Sequence, residues 1–219
     1  MIINAPCQDI LASVSSDAVV VTDPPYNIGF KYDTYTDVLP DDEYIELLAE
    51  MQRFRKIAII QYPEETMRLV VPALGPPDAV VAWCYNANIR RRFRLISFYG
   101  GTPDYTRLRQ PYKNPTDKRV RHLIENGSEG SELYEWWTDI QLVKNVSTEK
   151  TIHPCPIPQA LAERIITLFT EPNDVVFDPF AGVGTTLVAA RNLGRHYIGC
   201  EISENYYYEA LRKLNPFGQ

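Results

Sequence analysis

Six short runs of almost unbroken apolar residues, at 2–4, 18–22, 56–61, 79–85, 175–178 and 197–201, alternate with longer stretches whose apolar positions recur at helical spacing. Runs this short and continuous are what strands covered on both faces require, so a mostly parallel sheet is expected. Helices are expected at 41–55, 158–169, 185–193 and 204–214. The first carries Leu47, Leu48 and Met51 on one side and opens on acidic residues, which suit the positive end of a helix dipole. Strand, crossover and strand in alternation define an α/β fold. The alternation fades between residues 86 and 150, where prolines and arginines accumulate and Asn126-Gly127-Ser128-Glu129-Gly130-Ser131 reads as a turn or loop. That stretch is read as an insertion in a single domain spanning 1–219, because 219 residues hardly suffice for two independent cores.

Composition narrows the class. Apolar residues make up 45% and charged ones 23%, ordinary values for a water-soluble fold, and no run offers the roughly 20 apolar residues a membrane span needs. The amino terminus lacks a basic stretch followed by a long apolar region, so a cytoplasmic protein is expected. Cys7, Cys84, Cys155 and Cys200 form no CxxC pair, and with only His122, His153 and His196 they match no zinc spacing. Reduced thiols and no metal are expected.

Charge is unevenly distributed. The net value is −6, yet between Ile89 and His122 ten basic residues stand against only Asp104 and Asp117. Aromatic Phe93, Phe98, Tyr99, Tyr105 and Tyr112 are interleaved among them. A basic segment on an otherwise acidic chain points to a nucleic-acid face, with Arg90, Arg91, Arg92 and Arg94 as candidate substrate contacts.

Polar chemistry gathers at two strand exits. Asp178-Pro179-Phe180-Ala181-Gly182-Val183-Gly184-Thr185 follows Val175-Val176-Phe177, giving a strand, a glycine turn and a helix start. The third glycine of a dinucleotide fingerprint is replaced by Leu187, and the lysine of a P-loop is missing, so a nucleoside cofactor without a necessary pyrophosphate fits best. The next strand ends in Glu201, an acid at a position where a carboxylate can accept both hydroxyls of a ribose. The other exit is Asp23-Pro24-Pro25-Tyr26, behind Ala18-Val19-Val20-Val21 and followed by Asn27-Ile28-Gly29-Phe30. In open α/β sheets ligands bind beyond the C-terminal ends of strands, so two such exits suggest a cofactor site beside a substrate site.

These strings resemble the DNA amino-methyltransferases. DPFAGVGTT with an acid closing the following strand is similar to that family's S-adenosylmethionine site. By position the resemblance assigns Phe180, Gly182, Gly184 and Thr185 to the cofactor lining, Asp178 to its methionine end and Glu201 to its ribose. His153-Pro154-Cys155-Pro156-Ile157-Pro158 resembles the family segment leading into the helix before the glycine strand, which adds His153 to the cofactor set. Ile157 stands where one version of that motif has lysine. The amino-terminal Ile3-Asn4-Ala5-Pro6-Cys7-Gln8-Asp9-Ile10-Leu11 loosely follows a family segment that adds Cys7, with Pro6 where the family has an acid. The catalytic string precedes the cofactor string by about 150 residues, which resembles the motif order called the β class.

The resemblance implies a Rossmann-like methyltransferase fold with a mostly parallel seven-stranded sheet, and a basic target-recognition insertion at 86–150. It implies methyl transfer from S-adenosylmethionine to an exocyclic amine of DNA. Such an amine is a poor nucleophile because its lone pair is delocalised into the ring. Asp23 and the Pro24 carbonyl can each accept one N–H and localise that pair, while Pro24 and Pro25 fix the backbone. Tyr26 can stack on a base flipped from double-stranded DNA. Asn27, Phe98, Tyr99 and Trp137 are further substrate candidates, Phe98 and Tyr99 as the second face of a base clamp and Trp137 through Trp136-Trp137-Thr138-Asp139-Ile140, which resembles the segment before the HP motif. Tyr206, Tyr207 and Tyr208 read as packing and surface residues. In the family DPPY goes more often with adenine N6 and SPPY with cytosine N4, so adenine is expected and cytosine stays open. A catalytically silent DNA-binding subunit, an RNA or protein amine methyltransferase, and a homodimer also stay open. An insertion this short implies a short or relaxed recognition site.

Overall fold

The computed structural model describes residues 1–143 and 151–215, so the last part of the expected 86–150 insertion lies outside the described residues. The elements run β1 (Ile2–Asn4), α1 (Cys7–Leu11), β2 (Val19–Thr22), α2 (Asp41–Ala49) with a 3-10 extension (Glu50–Arg53), and β3 (Lys56–Gln61). A broken helix follows as α3 (Pro63–Glu65), a π turn (Thr66–Val70) and α4 (Val71–Leu74), then β4 (Ala79–Cys84) and β5 (Phe93–Tyr99). Next come β6 (Arg109–Gln110), α5 (Lys118–Glu125), β7 (Ser131–Glu132) and β8 (Trp136–Trp137). The chain closes with α6 (Gln159–Phe169), β9 (Val175–Asp178), α7 (Thr185–Asn192), β10 (His196–Glu201) and α8 (Glu204–Leu214).

The main sheet has the order β1-β10-β9-β2-β3-β5-β4-β8. It is mostly parallel, as expected, with β5 antiparallel to both β3 and β4. Eight strands replace the expected seven, because the two-residue β8 pairs along β4 and extends the edge. Alternate residues of each strand feed opposite cores, since side chains of a strand point to opposite faces. Val19, Val21, Ala58, Ile60, Ile96 and Phe98 pack with Leu161, Ile165 and Phe169 of α6. On the other face Val20, Ile57, Ile59 and Tyr99 pack with Tyr44, Leu48 and the α4 segment.

Two consequences of this topology set the function. The chain leaves β2 toward β3 on one side and leaves β9 toward β10 on the other, so strand order reverses between neighbours β2 and β9. That reversal opens a crevice at their C-terminal ends. The second concerns the insertion: its first part contains β5, a central strand, so the excursion from the sheet begins only after Tyr99. Among the described residues no helix is long and apolar enough to cross a membrane.

Candidate active site

Asp23 leaves β2 at the crevice, and one cavity of about 380 Å³ spans both strand exits. Its substrate side is lined by Asp23, Pro24, Pro25, Tyr26, Tyr44, Tyr62 and Arg94. The Tyr26 hydroxyl donates to Asp23 Oδ1 at 2.5 Å, and Arg94 Nη1 stands 3.5 Å from Oδ2. Burial raises the proton affinity of Asp23, while the Arg94 charge and the Tyr26 hydrogen bond oppose that rise. Behind the prolines, the Tyr44 hydroxyl at the start of α2 donates to the Pro25 carbonyl, holding the turn from below. Tyr62, just past β3, meets Tyr26 edge-on with ring centroids 5.0 Å apart.

On the cofactor side the lining includes Pro6, Cys7, Phe180, Gly182, Glu201, Ile202 and His153. Glu201 accepts from the Gly182 amide through Oε2 and from the Ser203 amide through Oε1, each at 2.8 Å. Each carboxylate oxygen can accept more than one hydrogen bond, so both can still receive ribose hydroxyls. His153 is half-buried against Tyr206, and desolvation lowers its pKa to about 4, so the ring is neutral near pH 7. Its Nδ1 accepts from the Cys155 amide at 3.2 Å, which leaves the ring proton on Nε2. A carboxylate at the end of β10 beside flat apolar walls suits S-adenosylmethionine, and Glu201 is the residue that could meet its ribose, with Phe180, Pro6, Cys7 and Ile202 available to hold the rest.

A strap of chain from Asn27 to Pro40 crosses between the two sides. Phe30, Tyr32, Tyr35 and Val38 line the cavity from it. Its base is clasped by Asn27, whose amide donates to the Leu39 carbonyl at 2.9 Å and accepts from the Leu39 amide at 2.7 Å. Buried Asp37 accepts from the Tyr26 amide at 3.1 Å and from the Phe30 amide. The far end is tied to the start of α8, where Asp33 accepts from Ser203 Oγ at 2.7 Å and Asn205 Nδ2 at 3.0 Å.

The crevice brings together Asp23, Pro24, Pro25, Tyr26, Asn27, Cys7, His153, Phe180, Gly182 and Glu201. Other expected site residues are placed elsewhere. Phe98 is fully buried against Phe169, 4.9 Å between centroids, and Tyr99 packs on the opposite face of the sheet. Their strand runs antiparallel, so they lie at the end remote from the crevice, with Tyr99 opposite Ile57 near the start of β3. Trp137 is buried in the core with the Arg164 guanidinium over its ring, and does not line the cavity. Asp178 lies behind the wall rather than on it, accepting from Thr22 Oγ1 at 2.7 Å and the Phe180 amide at 3.1 Å. Gly184 faces α8, where an added Cβ would sit 2.8 Å from Ala210 Cβ, and Thr185 opens α7 outside the lining. Arg94 is not a surface cation but a cavity wall. Of its neighbours, Arg90 and Arg92 are exposed, and Arg91 pairs with Glu65 at 2.9 Å over the Tyr62 ring.

Sequence reading missed Tyr44, Tyr62, Tyr206 and the strap. Tyr62 follows a third strand exit, so the rule that found Asp23 and Asp178 would have found it too. Tyr206, read as packing, lines the cavity and its hydroxyl accepts from the Asp33 amide at 3.2 Å.

The profile of the N6/N4 methyltransferase family, described as DNA methylase, matches residues 54–212. The type II methyltransferase M.BglII of Bacillus subtilis is 30% identical over 250 aligned residues, covering 98% of this chain and 68% of that protein. The DNA adenine methyltransferase YhdJ of Escherichia coli K12 is 28% identical, covering 90% of this chain and 76% of its own. The fold is shared with the cytosine-N4-specific PvuII DNA methyltransferase at a TM-score of 0.70 and 15% identity, over 100% of this chain and 86% of that one. It is also shared with the S-adenosylmethionine complex of M1.HpyAVI at a TM-score of 0.63 and 23% identity, over 98% of both chains. A profile spanning most of the sequence and a type II methyltransferase aligned along nearly all of it establish that this chain belongs to the N6-adenine/N4-cytosine DNA methylases, enzymes that use S-adenosylmethionine.

Proposed function

We propose that this DNA methyltransferase acts on the N6 amine of an adenine flipped out of duplex DNA, at a short or relaxed recognition site. The observation that carries this reading is Asp23 standing in the same cavity as the Glu201 and Phe180 wall, so that an amine beside the carboxylate faces the cofactor side. When bound, S-adenosylmethionine supplies an electrophilic sulfonium methyl group. Asp23 accepts one N–H of the amine and the Pro24 carbonyl the other, which turns the nitrogen lone pair out of the ring plane. Tyr26 holds the Asp23 carboxylate through its hydroxyl, and Tyr44 fixes the Pro25 carbonyl beneath it. With the methyl passed to the nitrogen and the donor left as a neutral thioether, the nitrogen would shed a proton to Asp23 and on to water. The walls of Tyr26 and Tyr62 offer rings for stacking, worth roughly 1–3 kcal/mol per base, comparable with the cost of unstacking it.

For duplex binding the support is α5, whose Lys118, Arg119 and Arg121 project from a helix with no buried residue. Phosphate contacts need such exposed cations. Adenine is favoured by the DPPY string and by a relative named as an adenine methyltransferase. Cytosine N4 is the second reading, favoured by the Arg94 donor in the base pocket, since cytosine presents two ring-edge acceptors beside its amine.

The test is incubation with unmethylated duplex DNA and labelled S-adenosylmethionine, followed by nucleoside mass spectrometry and methylation mapping. N6-methyladenine is expected, and Asp23→Ala lowers its rate by roughly 10²–10³-fold while cofactor binding persists. N4-methylcytosine instead keeps the mechanism and changes the target. Cofactor binding without any methylated nucleoside sinks the reading in favour of a silent subunit or an RNA substrate, and a strict site of six or more bases removes the relaxed-recognition part.

A further inference from the structure

Arg94 is the one cation in the cavity wall among the described residues, and it is 7% exposed. It is the second residue of β5, opposite Trp83 of β4, and β5 starts at the crevice only because it is antiparallel to its neighbours. Around its guanidinium stand the rings of Tyr26 at 5.3 Å, Tyr62 and Trp83 at 5.4 Å and Tyr85 at 5.9 Å. Its nearest carboxylate is Asp23, at a long 3.5 Å, and its buried Nε has no acceptor among the described residues. A guanidinium has five N–H donors, and leaving them unpaired inside a protein is costly. Arg94 is buried away from any phosphate yet lines the cavity beside Asp23, which sets a donor group next to the carboxylate where the target base would sit.

We propose that Arg94 is a specificity-determining residue that donates to the ring acceptor adjoining the target amine, N1 of adenine or N3 of cytosine, while Asp23 accepts the amine N–H. The inference rests on the amine-transfer reading above and names how that site selects its base. Adenine and cytosine present a donor followed by an acceptor along their Watson–Crick edges. Asp23 and Arg94 present the complement, an acceptor followed by a donor. Guanine and thymine present a carbonyl followed by an N–H, which sets oxygen against carboxylate and N–H against guanidinium. The pair therefore rejects keto bases as well as accepting amino bases. Cytosine O2 offers the guanidinium a second acceptor where adenine has only C2–H, so the same residue tilts the site toward cytosine.

The experiment uses the full chain and a duplex carrying the target mapped by the methylation assay, compared with the same duplex in which 1-deazaadenine replaces adenine, or 3-deazacytosine replaces cytosine. Both analogues keep the amine and lose only the ring acceptor. The wild-type enzyme should lose roughly 10- to 100-fold in kcat/KM on the analogue. Arg94→Met should fall by a similar factor on the natural base and little further on the analogue, whereas Arg94→Lys should recover part of the discrimination. Equal use of both duplexes by the wild-type enzyme overturns the proposal without any variant. So does an Arg94→Met enzyme that loses activity equally on both, which is the behaviour of a residue that only braces Asp23 and its aromatic cage. If the wild-type enzyme methylates no amine of DNA at all, the underlying reading has failed and the proposal falls with it.

Discussion

Gly184 illustrates how a residue can sit in the right motif for a different physical reason. Its φ of +78° suits glycine, and an added Cβ would stand 2.8 Å from Ala210 Cβ and 3.3 Å from Ala210 Cα. The glycine therefore permits α7 and α8 to approach, while Gly182, two residues earlier, is the one that lines the cavity and donates to Glu201. Gly184→Ala should destabilise the fold by about 2–4 kcal/mol, summing the left-handed backbone cost and the overpacking of a helix contact. Urea unfolding measures the loss, and calorimetry at low temperature should show cofactor affinity little changed in the protein that remains folded. A large loss of affinity with unchanged stability would return Gly184 to the cofactor wall. Asp178 makes the same point: its motif position was legible, but its role as a buried acceptor for Thr22 depends on a neighbour 156 residues away.

At the scale of elements, the strap between β2 and α2 joins the two halves of the site. Its tie is Asp33, which accepts from Ser203 and Asn205 at the opening turn of α8, and Ser203 also donates its amide to Glu201. Loosening the strap should be felt on the cofactor side, because Tyr32 of the strap packs against His153 with centroids 5.7 Å apart. Asp33→Ala should weaken S-adenosylmethionine binding by roughly 3- to 10-fold, a part of what a charge-assisted hydrogen bond contributes. Titration calorimetry reads this directly, and an unchanged dissociation constant would show that the strap holds without its tie. None of this was visible in the sequence, since the strap has neither helical nor strand periodicity and its partners lie at the other end of the chain. The parallel strands were visible because continuous apolar runs are an unambiguous local signal, and β3 and β9 have the expected bounds. The antiparallel β5 was missed because Arg94 interrupts Phe93-Arg94-Leu95-Ile96-Ser97-Phe98-Tyr99 with a charge. A charge inside a buried strand makes sense only once Asp23 is known to lie beside it.

For the whole molecule, the site exists because strand order reverses between β2 and β9, and a buried side-chain hydrogen bond spans that reversal beyond the strand pairing. Thr22 Oγ1 at the end of β2 donates to Asp178 Oδ1 at the end of β9 at 2.7 Å. Burial raises the Asp178 pKa to about 6, and the Thr22, Thr186 and Phe180 hydrogen bonds oppose that rise. A carboxyl whose folded pKa lies above its unfolded value binds its proton more tightly when folded. Its contribution to stability is therefore complete at low pH and is lost as pH climbs from about 4 toward 6. Thr22→Val keeps the shape of the side chain and removes the donor, so the folded pKa should move higher and the loss should continue to higher pH. At pH 5, where Asp178 is mostly protonated in either protein, the variant should be only slightly less stable than the wild type. At pH 8, where the wild-type carboxylate is ionised, the gap should widen to about 1–3 kcal/mol, the cost of leaving a buried acceptor unpaired. Comparing the two proteins at each pH cancels other titrating groups such as His153, whose lowered pKa acts in the opposite sense, its stabilisation being lost as pH falls from about 6.5 to about 4. Urea unfolding at the two pH values tests the argument. A gap that is the same at pH 5 and pH 8 would mean that Asp178 does not titrate between them, and that the two halves of the crevice are joined by strand pairing and packing rather than by this bond.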